Sequence, residues 1–105
     1  MNTNFKIKRW QSKKYRDGAK DQPCTMRLPC CNYNNETTVL CHQNGAGVAM
    51  KSDDFNAADM CSACHDVFDG RVYLGERYNK NRLFLEFTAA RYETIINRIV
   101  RGILK

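Results

Sequence analysis

Cys61-Ser62-Ala63-Cys64-His65-Asp66-Val67-Phe68-Asp69-Gly70 is the stretch on which the reading of this chain turns. Two thiols three residues apart can grip one metal ion at the start of a helix. His65 and Asp69, one helical turn apart, put two more ligand-type side chains on one face of that helix. One short segment can therefore serve a structural thiolate site and a second site built from nitrogen and oxygen. The pattern predicts a turn and a helix over about 55–68, stopped near Gly70.

Working outward, the chain has 105 residues and six cysteines. A single domain of that size has a thin core, because it hides only about two-thirds of its unfolded surface. Covalent or metal reinforcement is expected. A secreted, disulfide-stapled domain would need an export signal, and residues 1–22 are charged with no apolar run. No stretch approaches the ~18 apolar residues of a membrane span. The expectation is a cytoplasmic chain whose cysteines are thiolates on metal. Cys-x-x-Cys-His is also the attachment motif of c-type haem, but the missing export signal and the four spare cysteines argue against it. A thioredoxin-like redox pair lacks the βαβ pattern it needs.

Cys61 and Cys64 supply half of a tetrahedral site. The partners must come from Cys24, Cys30, Cys31 and Cys41. Cys24 and Cys31 flank a turn containing Pro29, which lets two thiols converge, with Cys30 in competition with Cys31. Cys41 lies in Thr37-Thr38-Val39-Leu40-Cys41-His42, the best strand candidate, and reads as a small buried hydrophobe. Residues 43–54, with Gly45, Gly47 and the pair Asp53-Asp54, read as a loop. The clearest helix is expected at about 82–104. Leu85, Ala89, Tyr92, Ile96, Ile99 and Ile103 recur there at intervals of four and three, and such a stripe is expected to pack on its own domain or to form a short dimer seam.

Net charge is +6. Residues 1–27 hold eight basic residues against two acidic ones, so the whole excess lies in the first quarter. Lys6, Lys8, Arg9, Lys13, Lys14, Arg16 and Lys20, interleaved with Phe5, Trp10 and Tyr15, suit a phosphate backbone with bases or grooves nearby. Residues 1–22 are accordingly read as a basic arm and 23–105 as the metal-binding domain.

There are two histidines, each beside a cysteine: His42 at the strand end and His65 at the helix start. With this strand–loop–helix arrangement the chain resembles HNH-type (ββα-metal) nucleases braced by a four-cysteine zinc site, and within them the small proteins of phages and prophages assigned as nucleases. The resemblance runs from about Ala19 to Val72. It rests on Gln22-Pro23-Cys24-Thr25-Met26-Arg27-Leu28-Pro29, on Cys31-Asn32, on Glu36 to His42, on Asp54-Phe55, and on Cys61 to Asp66 through Asp69-Gly70-Arg71. Asn56 stands five residues before Cys61, where HNH proteins carry their middle Asn.

The resemblance implies an α+β fold, a small ββα-metal zinc domain with a long C-terminal helix. It implies a structural Zn²⁺ on Cys24, Cys31, Cys61 and Cys64, which favours Cys31 over Cys30. It further implies a metal-dependent DNA endonuclease. His42 would be the general base. His65, with Asp69, would hold a second divalent cation, Mg²⁺ or a transition metal. Asn56 would orient the His42 loop or lie near the metal, and Arg71 would contact the phosphate. The chain departs from the pattern at Cys41, where many HNH sites carry an Asp or His as a further ligand; a thiol suits Mg²⁺ poorly. Two alternative functions remain, a zinc-containing DNA-binding module without catalysis, and a phage adaptor that binds a host or recombination protein. The oligomeric expectation is a monomer or weak dimer.

Overall fold

A computed structural model of the protein describes residues 10–43 and 53–104. Its elements are a short helix α1 (Lys13–Asp17), strands β1 (Val39–His42) and β2 (Ala57–Met60), and helices α2 (Ser62–Phe68) and α3 (Lys80–Val100). Single 3₁₀ turns at Asn35–Thr37 and Glu76–Tyr78 lead into β1 and α3. The class is α+β, as expected. No helix among the described residues is long and apolar enough to cross a membrane.

Each helix start has a side-chain cap that satisfies an otherwise orphaned backbone N–H. The Ser12 hydroxyl accepts from Tyr15 N at 3.1 Å and the Asn79 carboxamide from Arg82 N at 2.9 Å. At α2 the cap is the Cys61 sulfur, which accepts from Cys64 N at 3.4 Å. The α2 helix ends as anticipated, with Gly70 in the left-handed region (φ 84°) and its N–H on Val67 O.

The two strands pair antiparallel, with Val39 opposite Met60 and His42 opposite Ala57. The resemblance to a ββα-metal fold implies a second strand, but the residue pattern does not place it, and its residues fall inside the turn-and-helix segment expected at 55–68. Ala-Ala-Asp-Met has neither β-branching nor alternation, and all four residues are buried because both faces of the strand are covered. Its outer edge is also closed. Thr25 donates its backbone N–H and its hydroxyl to Asp59 O, at 2.8 and 2.7 Å.

The α3 helix packs on β2, but through a different stripe from the expected one. Phe87, Ala90, Thr94 and Arg98 are buried, whereas Leu85, Ala89, Tyr92, Ile96 and Ile99 are exposed. The reason lies in β2, whose Asp59 faces the helix. The Thr94 hydroxyl accepts from Asp59 N at 3.0 Å, and the Arg98 guanidinium clamps both Asp59 oxygens at 2.6 and 2.7 Å. Polar partners for a buried carboxylate decided which face turned inward.

Residues 10–19 are packed into the body. Tyr15 is fully buried, its ring edge-on to Trp10 and Phe55, which stack on each other with centroids 3.9 Å apart. The Arg98 guanidinium lies over the Tyr15 ring at 5.0 Å and donates to Tyr15 O at 3.0 Å. Gly18 is small by necessity, since a Cβ there would sit 2.7 Å from Arg98 Nε. Lys6, Lys8 and Arg9 lie outside the described residues.

Arg98→Met leaves the Asp59 carboxylate buried without its cation and should cost about 3–5 kcal/mol in urea unfolding. Adding Asp59→Leu should recover most of the loss. A double variant as unstable as the single one would show that the pair's role is not electrostatic.

Candidate metal centre

Two segments bring the thiols together. The turn after Pro23 carries Cys24, Met26, Leu28 and Cys31 inward, with Cys31 N bonded to Leu28 O at 2.8 Å. The β2–α2 junction presents Cys61 as cap and Cys64 in the first helical turn. The four sulfurs lie within 4.8 Å of one another, and all four residues are buried. No pair is a disulfide. The Cys31 and Cys61 sulfurs are 3.8 Å apart. A tetrahedral ion with metal–sulfur bonds of ~2.3 Å requires sulfurs about 3.8 Å apart, so the cage fits Zn²⁺ in size as well as in donor type.

Charge supports the same assignment. A hydrogen bond from the Cys64 thiol holds Cys24 down at about 4, and the same contact pushes Cys64 up. Burial pushes Cys31 up to about 11. Burial and crowding thus work against several thiolates side by side unless a cation lies between them. Cys30 stands outside the cluster, its thiol 3.7 Å from Ala63 O. Cys41 is buried in the strand, as expected, and its thiol is pushed up by burial and by the nearby Asp69 charge.

The two histidines sit on different elements, each with a carboxylate. His42 closes β1, and its Nε2 lies 2.8 Å from Asp54 Oδ1. Asp54 is buried, and its Oδ2 accepts from Ser12 N at 2.7 Å and from Arg16 Nη1 at 2.8 Å. Burial pushes the Asp54 carboxyl up, but the bonds from His42, Ser12 and Arg16 outweigh it and hold it below the usual range. His65 Nε2 lies 2.9 Å from Asp69 Oδ2 across one turn of α2, and Arg71 Nη2 reaches the same oxygen at 3.3 Å. Arg71 also binds Asp66 at 2.9 Å. Besides the cysteine cage, no group of three or more ligand atoms converges among the described residues. His65 and Asp69 therefore form a pair rather than a closed cage.

Asn56 anchors the segment that follows His42. Its carbonyl accepts from Gln43 N at 3.0 Å, and its side-chain oxygen accepts from Arg91 Nη1 at 2.7 Å. Among the basic residues singled out in the sequence, Lys14 and Lys20 are exposed, Lys13 pairs with Asp17, and Arg16 and Arg71 are held in ion pairs. Asp54, Arg16 and Arg91 escaped the sequence reading as site residues in these roles. Asp54 meets His42 across 12 positions and Arg16 across 38, separations that carry no local pattern.

Elemental analysis of freshly purified protein should find one zinc per chain. Cys31→Ser should lose it and unfold, since a structural zinc contributes on the order of 10 kcal/mol, whereas Cys30→Ser should keep it. Retention of zinc by Cys31→Ser and loss by Cys30→Ser would reverse the assignment.

Comparison with known proteins places the molecule. Two curated relatives, each described as "Putative nuclease YbcO" and coming from Escherichia coli K12 and Enterobacteria phage 82, are 40% identical over 62 residues. That stretch spans 55% of this chain and 65% of theirs, just under two-thirds of their length. A solved structure, titled as a putative bacteriophage protein from Escherichia coli K-12 MG1655, superposes with a TM-score of 0.70 at 28% identity. It covers 85% of this chain and all of the other. The family model "Putative nuclease YbcO" matches residues 13–100, and the chain belongs to that family.

Proposed function

We propose that this protein is a metal-dependent DNA endonuclease of HNH type, phage-encoded and acting in the bacterial cytoplasm, with His42 as general base. One juxtaposition carries the reading. An antiparallel hairpin has His42 at a strand end, and the helix that follows it carries His65 and Asp69. The family description supports the nuclease class.

In this reading His42 takes the proton of the water that attacks phosphorus. Asn56 ties together the ends of the loop after His42. The cysteine cage would hold a structural Zn²⁺ on Cys24, Cys31, Cys61 and Cys64, fixing the start of α2 against the Cys24–Cys31 turn. His65 and Asp69 would hold the second divalent cation, which when bound supplies Lewis-acid stabilisation of the leaving oxygen. Lys6, Lys8, Arg9, Lys13, Lys14 and Lys20 supply positive charge for the DNA backbone. Arg16 and Arg71 are engaged within the protein, so as the chain stands they serve the site's own carboxylates.

A DNA-binding module without catalysis has two observations in its favour. The Asp69 carboxylate is already bonded to His65 and Arg71, and Cys41 stands where other HNH sites place a harder ligand. The exposed apolar face of α3 would suit an adaptor that binds a phage or host recombination protein. Plasmid cleavage across Mg²⁺, Mn²⁺, Ni²⁺ and Zn²⁺ separates these readings. His42→Ala should lower cleavage by ~10²–10⁴-fold with fold and DNA affinity retained. Full activity in a folded His42→Ala protein would refute the mechanism, and binding without cleavage under every ion would favour the module.

The arm is tested by deleting residues 1–9, which spares the packed Trp10–Ala19 segment. If Lys6, Lys8 and Arg9 each contact a phosphate, the slope of log affinity against log salt should become shallower by about 2.7. Equal slopes for the two proteins would remove those residues from the DNA-binding surface.

A further inference from the structure

We infer that Asp54 is the positioning residue of His42, fixing the tautomer in which Nε2 carries the hydrogen and Nδ1 is the basic atom, with α1 as the clamp that holds Asp54 in place. The inference deepens the nuclease reading and rests on it for its catalytic consequence.

The geometry divides the two carboxylate oxygens between two tasks. Asp54 Oδ1 faces His42 Nε2 at 2.8 Å. Oδ2 accepts from Ser12 N at 2.7 Å and from Arg16 Nη1 at 2.8 Å. Both α1 donors thus lie on the oxygen turned away from the imidazole, so the carboxylate cannot rotate without losing them. The Asp54 side chain is only 4% exposed, and its backbone N–H is held by Trp10 O at 2.9 Å. Its position is fixed at both ends of the residue. A carboxylate is acceptor-only when ionised, and the donors around Asp54 keep it so at neutral pH. Nε2 must therefore be the donor, and the lone pair of a neutral His42 resides on Nδ1. The His42 side chain is one-third exposed.

This gives Ser12 and Arg16 a role that a flexible basic arm would not have. Ser12 caps α1 with its hydroxyl and holds Asp54 with its backbone N–H. Arg16 lies one turn further along the same helix. Because the buried Tyr15 side chain anchors that helix to the core, the orientation of the base is tied to the packing of the domain.

The test is Asp54→Asn in the full-length protein, read by ¹⁵N NMR of the imidazoles and by cleavage kinetics. Ser12 N and Arg16 are both donors, so they would retain the carboxamide oxygen of the variant. Its NH₂ would then face His42 and turn Nε2 into an acceptor. The wild type should show His42 protonated at Nε2, and the folded variant at Nδ1. Only two histidines are present, and His42→Ala assigns the signals. The variant's kcat should fall by about 10³–10⁴-fold, with KM within about twofold. A wild-type His42 protonated at Nδ1 would overturn the inference even if the variant does not fold. A folded variant with unchanged kcat would overturn it as well. If the tautomers switch as described but neither protein cleaves DNA under any divalent ion, the positioning stands and the endonuclease reading falls.

Discussion

The buried ion pair of Asp59 and Arg98 is the constraint on which the arrangement depends. A guanidinium at 0% exposure is tolerated only when its donors are used and its charge is matched. Here Nη1 and Nη2 grip the carboxylate, Nε meets Tyr15 O, and the plane covers the Tyr15 ring. One side chain thereby fixes α1, β2 and α3 relative to one another. The contact with Gly18 leaves no room for a larger residue, so α1 is held at close range. Such a pair adds little net stability over a well-packed apolar substitute. What it supplies is a single register, because sliding α3 by one turn along β2 would strand two buried charges.

That register is transmitted to both ends of a hairpin that is only four pairs long. A two-stranded ribbon of this size does not hold itself together in water. At the Met60 end the chain runs directly into Cys61, so the sulfur cage pins the strand to the Cys24–Cys31 turn. At the His42 end the closure comes from polar contacts, with Gln43 N on Asn56 O and His42 on Asp54. The structural thiols and the histidine proposed as base thus occupy opposite ends of one short ribbon. The ribbon's rigidity is borrowed from α1, α3 and the cage.

Much of this was legible in the sequence where chemistry and local spacing coincide. Cys61 and Cys64 with a capped helix behind them, a strand ending at His42, Gly70 as a helix stop and a long C-terminal helix all declare themselves within a few residues. β2 did not, because Ala57-Ala58-Asp59-Met60 is chosen for burial on both faces rather than for strand propensity. The face of α3 was misread for a related reason. Its most regular apolar spacing, Leu85 to Ile99, lies on the solvent side, whereas the inner side carries Thr94 and Arg98. Periodicity finds an apolar stripe, but it cannot know that the opposing strand presents a carboxylate. The basic arm was likewise divided by contacts far apart in sequence, since Arg16 and the ring of Tyr15 belong to the folded body.

The two histidines share a construction that bears on how the site would meet a polyanion. His42 is paired with Asp54 and Asp54 with Arg16, while His65 is paired with Asp69 and Asp69 with Arg71. With the imidazoles neutral, the His42 set carries one negative and one positive charge and sums to zero, whereas Arg71 is shared between Asp69 and Asp66 and leaves the His65 set with one negative charge in excess. A bare carboxylate beside each histidine would repel phosphate, the more so because partial burial reduces screening by salt. Arg16 cancels that repulsion beside His42 and Arg71 reduces it beside His65, while each carboxylate stays in hydrogen-bond contact with its ring. The two sets differ in how firmly they are closed. Asp54 is buried and bonded to the backbone of Ser12 as well as to Arg16, whereas Arg71 is 61% exposed and reaches Asp69 at a longer 3.3 Å. A cation arriving at His65 and Asp69 would therefore meet a partner that yields at little cost, while the surroundings of His42 are built to stay as they are. Fixed geometry is what a base needs, and an exchangeable partner is what a metal ligand needs, so the contrast in closure follows the division of roles proposed for the two histidines.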